Sequence, residues 1–153
     1  MSVRFRGEHW QRIDDKGRLS VPSAWRSALD AGGDARLVLA KSVTAPCLTG
    51  YSMAEWEAFE DKLRALPQSL PVVQSLLRLV VAGSQVIEPD THGRVLVATA
   101  LRAHAGLAGP GEVVLASQVA RFELWAADRW QAEITRIEAA LPHLRDELAL
   151  HGL

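Results

Sequence analysis

Two short motifs in the sequence combine residue types that could bind an anion. Residues 14–18 read DDKGR and residues 90–94 read DTHGR, and an apolar strand pattern follows each motif. A turn built on glycine can bring Lys16 and Arg18 close to one backbone phosphate, or place the Arg18 guanidinium against a guanine edge in the major groove. Alternatively, each arginine pairs with the aspartate of its own motif and makes a salt-bridged turn without a ligand. The motifs alone leave both interpretations open.

The aspartates and glycines of the two motifs are predicted to shape the turns. Gly17 and Gly93 can adopt a positive φ, which most residues avoid. Asp14 and Asp90 can accept hydrogen bonds from nearby backbone N–H groups or orient the arginine. Because a carboxylate beside a phosphate repels it, a structural role fits both aspartates better than DNA contact.

An enzyme would need a different set of residues. Asp90, His92 and His9 could form an acid/base or metal site, and Cys47 could be a nucleophile. However, Asp90 and His92 are two residues apart on a turn and need not face each other, and Lys16 takes the His92 position in the first motif. Neither a metal-ligand spacing such as HExxH nor a glycine-rich phosphate loop occurs. The sequence therefore predicts no catalytic residue, no metal site, no cofactor and no small-molecule substrate.

Composition favours a globular protein whose positive charge is local. The 153 residues are 48% hydrophobic with a net charge of −1, which suits a buried core but not a general polyanion binder. Residues 1–26 nevertheless carry six basic and three acidic side chains. No apolar run resembles a membrane span or a signal peptide, and the single Cys47 cannot form an intramolecular disulfide. We therefore expect a cytoplasmic protein with no membrane partner.

The chain contains an internal repeat at an offset of 76 positions. At this offset the two motifs coincide and residues 37–39 align with residues 113–115, and after a slip of two residues Trp56 meets Trp130. The repeat predicts four segments: a first repeat over 1–66, a linking helical segment over 67–80, a second repeat over 81–141, and a C-terminal helical tail over 142–153.

Hydrophobic periodicity predicts the elements within each repeat. Alternation over residues 3–13 indicates a strand with a bulge at Gly7, and the motif turn is followed by a return strand and a short helix that ends at Gly32-Gly33. Two more strands precede Ser52-x-x-Glu55, which is typical of a capping box. Apolar residues at helical spacing then form a stripe in each repeat: Trp56, Phe59, Leu63 and Leu66, and Trp130, Ile134, Ile137 and Leu141.

The sequence resembles the MraZ proteins of bacteria over nearly its whole length. The similarity rests on Phe5-x-Gly7, on DDKGRLSVP at 14–22, on the second motif at 90–94, and on Phe122-Glu123-x-Trp125. It implies a mixed α+β, β-rich fold: a duplicated AbrB-like swapped-hairpin β-barrel with flanking helices, in which one chain builds what relatives make as a dimer. It also implies assembly into a homo-oligomeric ring.

The resemblance also implies a function. MraZ-like proteins are sequence-specific DNA-binding transcriptional regulators of the division and cell-wall operon, and they bind short direct repeats in its promoter through their Asp-x-x-x-Arg loops. Carried over, this places Arg18, Lys16 and Arg94 on a surface facing double-stranded DNA, in a nucleoid-associated protein. His92 departs from the polar amide common in the family, which gives Arg94 less weight than Arg18. A non-enzymatic scaffold or an antitoxin-like interaction protein would suit the same fold.

Other basic and aromatic residues are further candidates. Arg4, Arg6 and Arg12 share one face of the predicted first strand and could widen the basic surface, although a solvated face or subunit contacts would suit them equally. Arg26 and Arg102, on the two short helices, are predicted to be structural. The five tryptophans are predicted to lie in the core or a subunit interface rather than to stack on bases.

Overall fold

The computed structural model describes residues 2–153, and within them eight β-strands, six α-helices and one π-helical segment form. The strands are β1 Glu8–Ile13, β2 Arg18–Ser20, β3 Leu37–Lys41, β4 Leu48–Ser52, β5 Gln85–Ile87, β6 Arg94–Leu96, β7 Gly111–Gln118 and β8 Arg121–Ala126. The helices are α1 Ser23–Ala31, α2 Met53–Ala65, α3 Pro71–Leu76, α4 Thr99–Ala105, α5 Ala127–Ala139 and α6 Leu141–Leu150, and the π-helical segment Leu77–Val81 continues α3. The order β-β-α-β-β-α therefore occurs twice, separated by α3 and the π-helical segment.

The two copies share one antiparallel sheet. Its strand order is β1-β7-β8-β4-β3-β5, so the first strand of each copy pairs with the third strand of the other copy. Strands β2 and β6, again one from each copy, pair separately as a two-stranded ribbon. The prediction of a mixed α+β fold is confirmed. Since the strands of the two copies are interspersed in one sheet, neither copy has a complete sheet of its own.

Helices cover both faces of the six-stranded sheet, as the alternation along β3 shows. Leu37 and Leu39 face the main core with α1 and α4, whereas Val38 and Ala40 face a second cluster that includes Trp56 of α2. These four of the five β3 side chains are buried, because successive residues of a strand point to opposite faces and both faces are covered here. None of the helices within residues 2–153 is long and apolar enough to cross a membrane.

Trp25 of α1 lies at the centre of the main core. Its ring packs edge-on against Phe5, with ring centroids 5.1 Å apart, and lies 4.9 Å from the ring of Phe122. Its indole N–H donates to the backbone carbonyl of Arg6 at 2.8 Å. Residues from both copies thus meet around one aromatic side chain.

The first strand is shorter than the sequence pattern predicts. Gly7 has a φ of 87° and interrupts the extended backbone, so the predicted irregularity at Gly7 is present. However, β1 begins only at Glu8, and the prediction that residues 3–6 belong to the strand is wrong. The preceding residues still follow the β7–β8 hairpin, since the Phe5 N–H donates to the Val119 carbonyl at 2.8 Å and the Ser117 N–H donates to the Gly7 carbonyl at 3.0 Å. Periodicity alone could not detect the break, because the apolar alternation continues across it.

The predicted N-terminal cap of α2 forms, but only in part as a capping box. The Ser52 hydroxyl accepts from the Glu55 N–H at 3.2 Å, as the sequence predicts. The Glu55 carboxylate instead forms an ion pair with Arg121 of β8, at 3.4 Å. The hydrogen bond from the Ser52 N–H to the Glu55 side chain, which would complete the box, is therefore replaced by a contact with the other copy. The local sequence pattern could not indicate this contact.

The two apolar helical stripes have different environments. Trp56 and Leu63 of α2 are buried as predicted, whereas Leu66 lies just beyond the helix and is 46% exposed. Helix α5 has no buried residue, and Trp130 and Ile134 are only half-buried. The second stripe therefore leaves apolar surface open to solvent. The predicted linking and C-terminal helices also form, while the exact segment boundaries stay a prediction.

Candidate nucleic-acid interface

Both motifs fold into the same closed turn. In the first, Asp14 Oδ1 accepts from the backbone N–H groups of Lys16 at 3.0 Å and Arg18 at 2.9 Å. In the second, Asp90 Oδ1 accepts from the N–H groups of His92 at 2.8 Å and Arg94 at 2.9 Å. The glycine before each arginine has a positive φ, 90° in the first turn and 78° in the second. The aspartate therefore closes each turn through the backbone.

The side-chain ion pairs of the two turns differ. Arg18 Nε donates to Asp14 Oδ2 at 2.7 Å, whereas Arg94 Nε lies 3.7 Å from Asp90 Oδ2 and is buried without a hydrogen-bond partner. Within residues 2–153 the terminal NH1 and NH2 groups of Arg18 make no hydrogen bond, and its side chain is 41% exposed. Pairing with the aspartate and contact with an outside anion are therefore compatible, because they use different nitrogens of the guanidinium.

Hydrogen bonding lowers the pKa of both aspartates. The pKa of Asp14 falls from 3.8 to about 2, chiefly because the Arg18 backbone N–H and then the Arg18 guanidinium donate to its carboxylate. The pKa of Asp90 is also lowered, with the Arg94 backbone N–H as the main cause. Both carboxylates are therefore ionised at neutral pH, and they place two negative charges beside the arginines.

The depressed pKa of Asp14 predicts a pH-dependent contribution to stability. Asp14→Asn should lower the unfolding free energy at about pH 7, and this deficit should shrink as the pH falls from about 4 towards about 2. The sign follows because a carboxylate whose folded pKa is depressed stabilises the fold above its unfolded pKa and loses that contribution on protonation. Urea denaturation across this range measures the deficit. Asp15→Asn, which removes a carboxylate from the same turn, is the control, and a deficit that is constant down to about pH 2 would contradict the prediction.

The β2–β6 ribbon brings the two motifs together. Arg18 lies opposite Leu96 and Ser20 lies opposite Arg94, while Leu19 and Val95 between them are buried. Alternation along the strands therefore directs one set of side chains outward on a common surface, here called the ribbon face: Arg18, Ser20, Arg94 and Leu96. Two arginines from motifs 76 positions apart lie diagonally across the same ribbon.

The ribbon face includes two residues that the sequence analysis missed. Ser20 is exposed beside Arg94, and Leu96 is 55% exposed beside Arg18. Ser20 and Leu96 occupy equivalent positions at the repeat offset, and this equivalence was the one feature of the sequence that could have identified them. Only the pairing of β2 with β6 shows that they flank the arginines. A shallow depression beside the face is also lined by Glu88, so its charge is mixed.

The remaining predicted basic residues are exposed but scattered. Lys16 projects from the first turn. Arg12 lies on β1 opposite Glu112, whereas Arg4 and Arg6 precede β1 on the other side of the Gly7 break. The expectation that these three arginines share one strand face is therefore wrong, because the strand does not extend to Arg4 and Arg6.

The residues considered for catalysis do not form a site. Cys47 is fully buried, and burial is the main cause that raises the pKa of its thiol to about 12, so it supplies little thiolate near neutral pH. His92 bonds to Asp90 through its backbone N–H, and the His9 ring bonds to the Arg6 carbonyl at 3.0 Å. In the described part of the chain, no group of three or more His, Cys, Asp or Glu side chains could hold a metal ion.

Most of the tryptophans are unavailable for base stacking. Trp25, Trp56 and Trp125 are buried, and Trp130 is half-buried. Trp10 is the most exposed of the five at 43%, and its indole N–H donates to Glu8 at 2.8 Å. The prediction that tryptophans belong to the core is confirmed for the three buried ones.

Comparison with known proteins identifies the family. Residues 4–79 and 80–150 each match the family described as "MraZ protein, putative antitoxin-like". The chain is 37% identical to the Transcriptional regulator MraZ of Tolumonas auensis, over 92% of this chain and 91% of that protein. It is 38% identical to the protein of the same name from Proteus mirabilis, over 85% and 84%, and 34% identical to that from Photorhabdus laumondii, over 95% of each. These names are those of a regulator and not of an enzyme, as the sequence analysis predicts. The chain therefore belongs to the MraZ family.

Proposed function

We propose that this protein is a sequence-specific DNA-binding transcriptional regulator that reads DNA with the ribbon face. The observation that carries the proposal is the position of Arg18 and Arg94 on one exposed face of an antiparallel ribbon. A two-stranded ribbon fits the major groove, which is about 12 Å wide, and arginine binds both phosphates and the guanine edge. The name that the relatives share supports a regulatory role.

Individual roles follow from the geometry of the turns. Arg18 uses Nε to hold Asp14, and its two terminal amino groups are proposed to contact DNA. Lys16 is exposed in the same turn and is proposed to neutralise a phosphate. Arg94 is proposed as a second, weaker contact, since the Asp90 carboxylate holds its guanidinium less closely. Arg4, Arg6 and Arg12 are proposed to contact flanking phosphates, as three separate positions rather than one strip.

The wider architecture is also a proposal. The exchange of strands between copies supports an AbrB-like swapped-hairpin barrel, with repeats over 1–66 and 81–141 joined by 67–80 and followed by a tail over 142–153. Several copies are proposed to assemble into a homo-oligomeric ring through apolar surface such as the half-buried stripe of α5.

Assembly would explain how a chain with a net charge of −1 binds a polyanion. Two or three phosphate contacts from one copy give weak binding at physiological salt, but linked copies multiply these contacts when their spacing matches repeated boxes on the DNA. We therefore propose that the DNA consists of short direct repeats in the promoter of its own division and cell-wall operon. The protein would accordingly be cytoplasmic and associated with the nucleoid.

Fluorescence anisotropy on labelled promoter DNA tests this function. We expect the affinity to rise steeply with the number of boxes, to fall with salt, and to be much lower for scrambled DNA of equal length. Ile134→Glu, which places a charge on the half-buried stripe of α5, should reduce the advantage of multiple boxes while leaving the ribbon face intact. Light scattering verifies its assembly state. An assembly-defective variant that binds multi-box DNA normally would refute the avidity mechanism, and equal affinity for scrambled DNA would refute sequence specificity.

A protein-binding role is the second candidate. Leu96 is 55% exposed on the ribbon face, and an apolar side chain there would suit a protein partner as well as a thymine methyl group. An antitoxin-like or scaffolding role would use the same face. Absence of binding by the wild-type protein to any promoter fragment would favour this second candidate.

A further inference from the structure

Each motif turn lies against an arginine from the other copy. A Cβ atom added at Gly17 would lie 2.5 Å from Nε of Arg102, which belongs to α4. A Cβ atom added at Gly93 would lie 2.5 Å from Cζ of Arg26, which belongs to α1. The two guanidinium groups therefore fill the space that a side chain would need in the turn of the opposite copy.

Hydrogen bonds connect Arg102 to the first turn. Arg102 Nε donates to the Val97 carbonyl at 3.1 Å, and the Val97 N–H donates to the Gly17 carbonyl at 2.9 Å. The first turn is thus held by a backbone bond from Val97, the residue after β6, and by the packed guanidinium of Arg102. Arg102 also donates from NH2 to Thr99 Oγ1 at 3.3 Å, which fixes its side chain at a second point.

The second turn repeats this arrangement with the copies reversed. Arg26 Nε donates to the Val21 carbonyl at 3.2 Å, and the Val21 N–H donates to the Gly93 carbonyl at 2.9 Å. No second hydrogen bond of Arg26 forms in the described part of the chain. The support of the second turn therefore has one fewer hydrogen bond than that of the first.

We infer that Arg102 and Arg26 are positioning residues, each of which holds the DNA-reading turn of the opposite repeat. Arg102 fixes the turn that carries Lys16 and Arg18, and Arg26 fixes the turn that carries Arg94. The inference rests on the proposed function for its effect on DNA binding, but the support of the turns is independent of DNA. A guanidinium suits this task because it can contact the glycine while Nε donates to a backbone carbonyl.

Positioning and direct DNA contact predict different binding data. A residue that itself neutralises a phosphate adds its effect to that of Arg18→Ala and lowers the slope of log affinity against log salt by about 1. A positioning residue affects DNA binding only through the turn that it holds. Its effect on affinity therefore disappears once the DNA-contacting side chains of that turn have been replaced, and in such a variant its substitution leaves the salt slope unchanged.

A crossed set of double mutants tests the inference on multi-box DNA. Arg102→Gln should weaken binding roughly three- to tenfold, should have little further effect in an Arg18→Ala, Lys16→Ala background, and should keep its full effect with Arg94→Ala. Arg26→Gln should show the opposite dependence. Each variant is the matched control of the other, because both remove one arginine charge from an equivalent helix. Effects that add in every background would overturn the inference.

Amide hydrogen exchange tests the same inference without DNA. Arg102→Gln should accelerate exchange at Gly17 and Val97 and leave Gly93 and Val21 unchanged, and Arg26→Gln should do the reverse. Arg102→Lys, which keeps a donor for the Val97 carbonyl, should restore part of the protection and serves if the glutamine variant does not fold. Equal acceleration at both turns would overturn the inference. If the wild-type protein does not bind promoter DNA, the proposed function fails, but the crossed exchange pattern still decides whether these arginines position the turns.

Discussion

Arg18→Ala is expected to lower the affinity for promoter DNA about tenfold to a hundredfold. One well-placed guanidinium contact with a base contributes about 1–3 kcal/mol to recognition, and every copy in an assembly would lose it. The 2.7 Å bond to Asp14 holds the Arg18 side chain before DNA arrives, which reduces the entropy lost on binding. Fluorescence anisotropy at fixed salt measures the loss, and light scattering verifies that assembly is unchanged.

Two further variants make the Arg18 result specific. Arg94→Ala should weaken binding less, because Arg94 Nε lacks a hydrogen-bond partner and lies 3.7 Å from Asp90 Oδ2, so the carboxylate does not hold the guanidinium in place before DNA binds. Arg64→Ala removes the same charge from the exposed last turn of α2 and should have little effect. If wild-type and Arg18→Ala proteins bind equally well, the first turn is only structural, and the contact residues would have to be sought among Arg4, Arg6 and Arg12.

Trp25→Ala is expected to lower the unfolding free energy by about 3–5 kcal/mol. The side chain is 1% exposed, packs on Phe5 and Phe122, and donates a buried hydrogen bond to the Arg6 carbonyl. Its removal leaves a cavity between the copies and an unpaired carbonyl. Urea denaturation monitored by circular dichroism measures the loss.

Trp10→Ala is the matched control for the core substitution. Trp10 is 43% exposed, so its replacement should cost about 1 kcal/mol or less. Since strands of both copies are interspersed in one sheet, the wild-type protein should unfold in a single transition. Equal losses for the two tryptophan variants, or two separate transitions, would contradict this description of the core.

Local sequence signals predicted the turns and most helices. The glycines before Arg18 and Arg94 have the positive φ that the turn chemistry requires, and Ser52 caps α2 as its spacing indicates. These features depend on residues within a few positions of one another, and for that reason they can be predicted from a single sequence. The repeat offset likewise identified equivalent positions in the two copies.

Contacts between the copies could not be predicted in this way. The offset is equally compatible with two units side by side, and nothing in the composition indicates that β1 would pair with β7 or β2 with β6. The ribbon face and the Glu55–Arg121 ion pair both arise from this exchange. A bulge was predicted at Gly7, but periodicity wrongly extended the strand to residues 3–6, because the positive φ at Gly7 interrupts the strand without changing the apolar pattern.

The β2–β6 ribbon pairs one strand from each repeat, and because the two repeats differ in sequence, the two ends of the ribbon differ as well. In a dimer of identical chains the two ends of such a ribbon would be the same, and the matching DNA would be a palindrome. Here Lys16 at one end corresponds to His92 at the other, and Ser20 corresponds to Leu96. A DNA-binding ribbon whose two ends differ would distinguish the two orientations of an asymmetric box. Successive copies in the same orientation would therefore select boxes that are repeated in the same orientation.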